Sequence, residues 1–174
     1  MLTPEQEKWI ESLSDRIISI TPYDSRAEEF FKRTKVKIQD LLGPDVAVEH
    51  CGATALGISG QDEVDVSIVV EKEKFPEYIS KLEVIFGPVR SKYEDRARFE
   101  VRDGDKKIDL KIIDVNHPNY INGKVFEDYL RHNPQELERY RALKLECDGL
   151  TTREYNRRKV EFTNEILEKA KVEK

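Results

Sequence analysis

Apolar residues recur along this chain in two rhythms, and the changes between them mark out its elements. Thr3-Pro4-Glu5-Gln6 predicts a helix start, with Thr3 as N-cap, Pro4 at the first helical position and Gln6 reaching back. Ile10, Leu13 and Ile17, with Trp9 beside them, form its expected buried stripe. After the Thr21-Pro22 break, Ser25-Arg26-Ala27-Glu28 reads as a second capping box, and Phe30, Phe31, Thr34, Ile38 and Leu41 follow at helical spacing up to Gly43-Pro44. Phe75, Ile79, Leu82 and Phe86 predict a third helix over 75–86, stopped by Gly87-Pro88. The last third of the chain is helical again: Asn122 to His132, then a segment opened by Asn133-Pro134-Gln135-Glu136, then one opened by Thr151-Thr152-Arg153-Glu154.

Between these helices the period falls to two. Val46, Val48 and His50 alternate with Ala47, Glu49 and Cys51, a half-buried strand that delivers the chain to Gly52-Ala53-Thr54. Small residues at that turn let backbone N–H groups approach a phosphate, and a helix starting there adds a favourable dipole. In the next run Val64, Val66, Ile68 and Val70 go to the core, so Glu63 and Asp65 share the opposite face, ~7 Å apart along the strand. Two like charges fixed side by side are unfavourable unless a proton or cation sits between them, and a carboxylate pair on one face suits a hard divalent metal. Asp103-Gly104, between ARFEVR and KKIDLKII, signals a hairpin whose second arm buries Ile108, Leu110 and Ile112 and turns Lys107, Asp109 and Lys111 the other way. Two readings of Asp109 stand at this point: a solvated acid partnered by Lys107 and Lys111, or a third carboxylate beside Glu63 and Asp65.

A length of 174 residues suits one domain, expected over 1–174, with N-terminal helices over 1–44, a sheet core carrying the site over 45–115 and C-terminal helices over 116–174. The fold class expected is α+β, a mixed sheet flanked by helices. A net charge of −5 argues against a broadly basic nucleic-acid-coating surface, and a local positive cleft is compatible with it. The two cysteines, Cys51 and Cys147, have no metal-ligand spacing, and no apolar leader or membrane-length run occurs. A reducing cytoplasm is therefore the expected location, with no membrane partner. No Walker loop and no Gly-x-Ser-x-Gly elbow is present, which sets aside a P-loop ATPase and a serine hydrolase.

A strand, a small-residue turn, and an acid-apolar-acid-apolar strand starting eleven positions after Gly52 resemble the signature of the polymerase-beta-like nucleotidyltransferases. The longer run HCGATALG, with FEDYLRHNP, Tyr140, Lys144 and YNRRKVEF, resembles the GrpB family within that superfamily, from His50 to Ala170. The resemblance implies a nucleotidyltransferase-like mixed sheet, Mg²⁺ as cofactor (two ions, with Mn²⁺ as substitute), and nucleotidyl transfer from a nucleoside triphosphate such as ATP to an unidentified hydroxyl. Glu63, Asp65 and Asp109 would bind metal and carry catalysis; Gly52, Ala53 and Thr54 would hold phosphates. Many superfamily members have Gly-Ser where this chain has Gly52-Ala53, which removes one phosphate-binding hydroxyl. Conversely, many GrpB relatives have an apolar residue at the position of Glu63 and histidine at that of Asp109, whereas this chain has all three acids.

Lys144 and Lys159 each follow a tyrosine by four residues on an otherwise apolar helix face, at positions that match the family. They are expected to contact the triphosphate, the alternative being a snorkelling side chain that covers core with its methylenes. His50 is expected to be structural more readily than catalytic. The acceptor is left open between small molecule, RNA and protein. A second functional class, a nucleotide-binding or protein-docking module without turnover, stands beside the enzyme.

Overall fold

Eight residues of one strand set the frame: β2 (Glu63–Val70) pairs antiparallel with β1 (Ala47–Cys51) and parallel with β5 (Lys106–Asp114). β5 in turn pairs antiparallel with β4 (Arg96–Asp103), and β4 with the short β3 (Ser91–Lys92). Among the described residues this gives a five-stranded mixed sheet in the order β1-β2-β5-β4-β3. The structure is a computed structural model that describes residues 1–172; Glu173 and Lys174 lie outside the described residues. The α+β class expected from sequence is the class found, a mixed sheet flanked by helices.

The chain forms two compact units, one of residues 23–58 and 62–121, the other of residues 1–22, 59–61 and 122–174. The sheet belongs to the first. One of its faces is apolar: Val48, Val64, Val66, Ile68, Val70, Ala97, Phe99, Ile108, Leu110 and Ile112 are all buried there. α2 (Ala27–Leu42) and α4 (Phe75–Phe86) cover it with Ala27, Phe30, Thr34 and Ile38, and with Phe75, Tyr78, Ile79 and Leu82, each set one turn apart along its helix. Gly43 (φ 114°) ends α2, and its strand-period neighbours follow at once. The β4–β5 hairpin closes one residue later than expected. Asp103 pairs with Lys106, so Gly104 and Asp105 form the turn; Gly104 takes φ +62° at the first central position, as a type II′ turn requires.

The helical unit holds α1 (Pro4–Glu11), most of α5 (Pro118–His132), α6 (Pro134–Glu146) and α7 (Thr152–Val172). Its core is aromatic. Phe126, Tyr140 and Phe162 pack with ring centroids 5.2–6.3 Å apart, edge-on or stacked, a geometry that suits the quadrupoles of the rings. The expected capping box at Thr3 is formed: the Gln6 amide donates to Thr3 Oγ1 at 3.2 Å, and the Thr3 amide donates to Gln6 Oε1 at 2.9 Å. At α7 the Glu154 amide donates to Thr151 Oγ1 at 3.2 Å. Among the described residues, no helix is long and apolar enough to cross a membrane.

Three helix boundaries differ from expectation. α1 stops at Glu11, so Leu13 and Ile17 lie beyond it, and Ile17 is 65% exposed in an isolated bridge to Thr151. Ser12, Ser14 and Asp15 explain the stop, because short polar side chains compete for the backbone; the Ser12 hydroxyl donates to the Trp9 carbonyl at 2.6 Å. Ser25 does not cap α2: the N-cap is Arg26, and Asp24 Oδ1 accepts from the Arg26 amide at 2.9 Å. α5 begins at Pro118 instead of Asn122, with the Asn119 amide donating to His117 Nδ1 at 2.9 Å.

Leu110 sits at the middle of β5 with no exposure. Leu110→Ala should cost about 2–5 kcal/mol in equilibrium urea unfolding; a loss below about 1 kcal/mol would contradict the apolar face as the core of this unit.

Candidate active site

Side chains of directly paired residues share a face of a sheet, so register decides which groups meet. The parallel register sets Asp65 opposite Asp109 and Glu63 opposite Lys107. The antiparallel registers add Cys51 opposite Asp65, Glu49 opposite Ser67, Glu100 opposite Asp109 and Arg98 opposite Lys111. The second face of the sheet is therefore polar across four strands. On it the three acids singled out from sequence come together: one carboxylate oxygen from each of Glu63, Asp65 and Asp109 lies within 4.8 Å of the other two.

Three hard oxygen donors at that spacing match the chemistry of a divalent metal. Mg²⁺ and Ca²⁺ take carboxylate oxygens at ~2.0–2.6 Å, which puts oxygens sharing one ion ~3–5 Å apart. Asp109 is 4% exposed, Glu63 and Asp65 are half-buried, and carboxylates so placed require a cationic partner. Part of that balance is internal. Arg98 grips Asp109 through both oxygens, Nε to Oδ1 at 3.2 Å and Nη2 to Oδ2, and Lys107 Nζ lies 2.9 Å from Glu63 Oε2 and 3.7 Å from Glu100. Alternation along β5 points to Lys107 and Lys111 as the partners of Asp109; the cation found on it comes instead from the neighbouring strand. Burial disfavours the charged Arg98 guanidinium, but the hydrogen bond and charge of Asp109, followed by the fields of Asp65 and Glu63, outweigh it and raise its pKa.

The small-residue turn lies against the same acids. Gly52 to Ala55 form a single helical turn, α3, entered from Cys51 in extended conformation. Gly52 has φ +74°, and a Cβ at this position would overlap Asp65 Oδ2 and stand 3.0 Å from Asp65 Cγ. Glycine is thus required twice over, for its backbone angle and for its closeness to a cluster acid. Thr54 Oγ1 lies 2.9 Å from His50 Nε2, so the hydroxyl nearest in kind to the missing serine is already engaged. His50 stacks on Phe31 at 4.9 Å on the apolar side of the sheet, with Nδ1 3.3 Å from Glu28 Oε2. Its place is that of a structural brace for the turn.

Lys144 and Lys159 belong to the helical unit. Lys144 is 4% exposed; its amine donates to Tyr155 Oη at 3.0 Å and stands 5.3 Å from the Tyr140 ring centre. Lys159 Nζ stands 5.9 Å from the Tyr155 ring centre. The tyrosine four residues before each lysine therefore supplies a cation–π contact.

Three polar residues of this face go beyond those expected from sequence: Arg98, Glu100 and Tyr120, whose hydroxyl donates to Glu49 Oε1 at 3.1 Å. Arg98 and Glu100 have a signal in the chain, since counting back from the Asp103–Lys106 closing pair sets Glu100 opposite Asp109 and Arg98 on its diagonal. Tyr120 has none, because it depends on how the start of α5 meets β1.

A strand, a one-turn helix, an acid-bearing strand and a third acid on the adjacent parallel strand make up the site of an α+β fold built on a mixed sheet. The chain belongs to the GrpB family: the model described as GrpB protein matches residues 17–169. It is similar to a UPF0157 protein of Vibrio cholerae, 25% identical over 158 residues that cover 85% of this chain and 79% of that protein. Among solved structures it is similar to the conserved protein GrpB from Enterococcus faecalis, with a TM-score of 0.68 and 21% identity over 87% of this chain and 96% of that one, a likeness of fold. The Cid1 poly(U) polymerase aligns more weakly, with a TM-score of 0.47 and 9% identity over 76% of this chain and 45% of that one, too low to argue a shared activity.

Gly57 also has positive φ (+68°), but a Cβ there would meet open space, which makes it the control for Gly52. Gly57→Ala should cost about 1–2 kcal/mol of unfolding free energy for its backbone angle alone. Gly52→Ala should cost measurably more because Asp65 must also move; equal losses in urea unfolding would contradict the close approach.

Proposed function

We propose that this protein is a metal-dependent nucleotidyltransferase, transferring a nucleoside monophosphate from a nucleoside triphosphate to a hydroxyl acceptor. The observation that carries the reading is the meeting of Glu63, Asp65 and Asp109 on one sheet face, with an oxygen of each within 4.8 Å of the others. Glu63, Asp65 and Asp109 would hold Mg²⁺, or Mn²⁺ in its place. Bound there, such ions neutralise phosphate charge and favour an attacking alkoxide. In the transfer, the acceptor oxygen bonds to the α-phosphorus as the bond from that phosphorus to the β-bridging oxygen breaks. Pyrophosphate leaves, and the acceptor proton passes to the Asp109 carboxylate as general base.

Gly52, Ala53 and Thr54 would present the phosphate-binding turn. With Thr54 Oγ1 held by His50, the grip falls to backbone amides, and the closeness of Gly52 to Asp65 ties that grip to the metal ligands. Lys144 and Lys159 are the proposed cationic contacts to the triphosphate. For Lys144, 4% exposed with its amine donating to Tyr155 Oη, that contact would mean leaving the tyrosine.

A second reading, a nucleotide-binding or docking module without turnover, has one observation in its favour. Arg98 and Lys107 already balance Asp109 and Glu63, so part of the acid face is satisfied by the chain's own cations. Calorimetric titration with each nucleoside triphosphate, with and without Mg²⁺, separates the two readings. The enzyme should bind nucleotide at least about tenfold more tightly with Mg²⁺ and release pyrophosphate when acceptor is supplied as cell extract. Asp65→Asn and Asp109→Asn should keep the fold and lower that release by at least about a hundredfold. Binding indifferent to metal, with no pyrophosphate from wild type, favours the module.

A further inference from the structure

Arg98 differs from the other bases of the polar face in how it holds its acid. Its Nε and Nη2 take the two oxygens of Asp109 in a fork, the geometry that makes an arginine–carboxylate pair strong and directional. The two partners are unequally placed. The Asp109 side chain is 6% exposed, fixed in mid-strand, whereas that of Arg98 is 48% exposed on β4. The acid is therefore held in place, whereas the guanidinium has room to turn toward water. A divalent cation on Asp109 would come into like-charge contact with that guanidinium while drawing on the same carboxylate.

We propose that Arg98 is a resident counter-ion that competes with divalent metal for the Asp109 carboxylate and turns out toward solvent as metal binds. This rests on the metal reading of Glu63, Asp65 and Asp109. Arg98 thereby keeps three neighbouring acids compatible with the folded chain and sets the concentration at which they accept a cation. The raised pKa of its guanidinium, owed to Asp109 and then to Asp65 and Glu63 once burial is overcome, agrees with its embedding in the acids' field.

The test is calorimetric titration of Mn²⁺ and Mg²⁺ into the full-length protein without nucleotide, for wild type, Arg98→Met, Arg98→Lys and Asp109→Asn, with melting temperatures recorded in metal and in chelator. Arg98→Met should bind Mn²⁺ about tenfold more tightly than wild type, the order of one charge-assisted hydrogen-bond pair. It should also melt lower than wild type in chelator and gain more from metal. Arg98→Lys, which keeps the charge but not the fork, should fall between, and Asp109→Asn should bind more weakly than wild type. Unchanged or weaker metal binding by Arg98→Met overturns the proposal; if that variant does not fold, the same comparison on Arg98→Lys decides it. Mn²⁺ binding by neither wild type nor the arginine variants overturns the metal reading itself, and the proposal with it.

Discussion

Three carboxylates on one sheet face repel one another, and the rest of this structure is arranged so that they stay together. Asp65 and Asp109 are fixed opposite each other by the parallel register of β2 and β5, and Glu63 lies two residues along the same strand. Such an arrangement persists only when positive charge is at hand. Arg98 and Lys107 provide some of it from within the chain, and the oxygen donors are of the kind that divalent metals take. The acid cluster is thus both a cost to folding and the source of the proposed chemistry, a combination expected at functional sites.

The apolar face makes this cost bearable. Strand alternation that turns the acids to one side turns Val64, Val66, Ile108 and Leu110 to the other, where α2 and α4 bury them. One sheet therefore anchors the unit and displays the site, and a slip of one residue in β2 or β5 would damage both. Gly104 in the β4–β5 turn and Gly52 beside Asp65 are the backbone positions on which that register and that closeness depend.

Much of this architecture is legible in the residues. The period-two run from Glu63 to Val70 announces its inward and outward sets, and Thr3-Pro4-Glu5-Gln6 announces its capping box, because both signals are local. Leu13 and Ile17 mislead because they continue a helical spacing while Ser12, Ser14 and Asp15 end the helix. Asp109 can be placed in mid-strand from its alternation, but its pairing with Asp65 cannot: a parallel neighbour so distant along the chain leaves no trace in local pattern. Arg98 is different, because its partner follows from hairpin register: a two-residue Asp103-Gly104 turn would set it opposite Asp109, and the Gly104-Asp105 turn found sets it on the diagonal.

The enzyme reading and the role given to Arg98 both depend on Glu63, Asp65 and Asp109 jointly ligating divalent metal. Crystals grown with Mn²⁺ and a non-hydrolysable nucleoside triphosphate analogue, measured at the manganese absorption edge, test this directly. The expected result is anomalous density bridging these three carboxylates, with the triphosphate beside Gly52 to Thr54 and Arg98 withdrawn from Asp109. A structure with bound nucleotide but no anomalous density there, and Arg98 still forked onto Asp109, would contradict it.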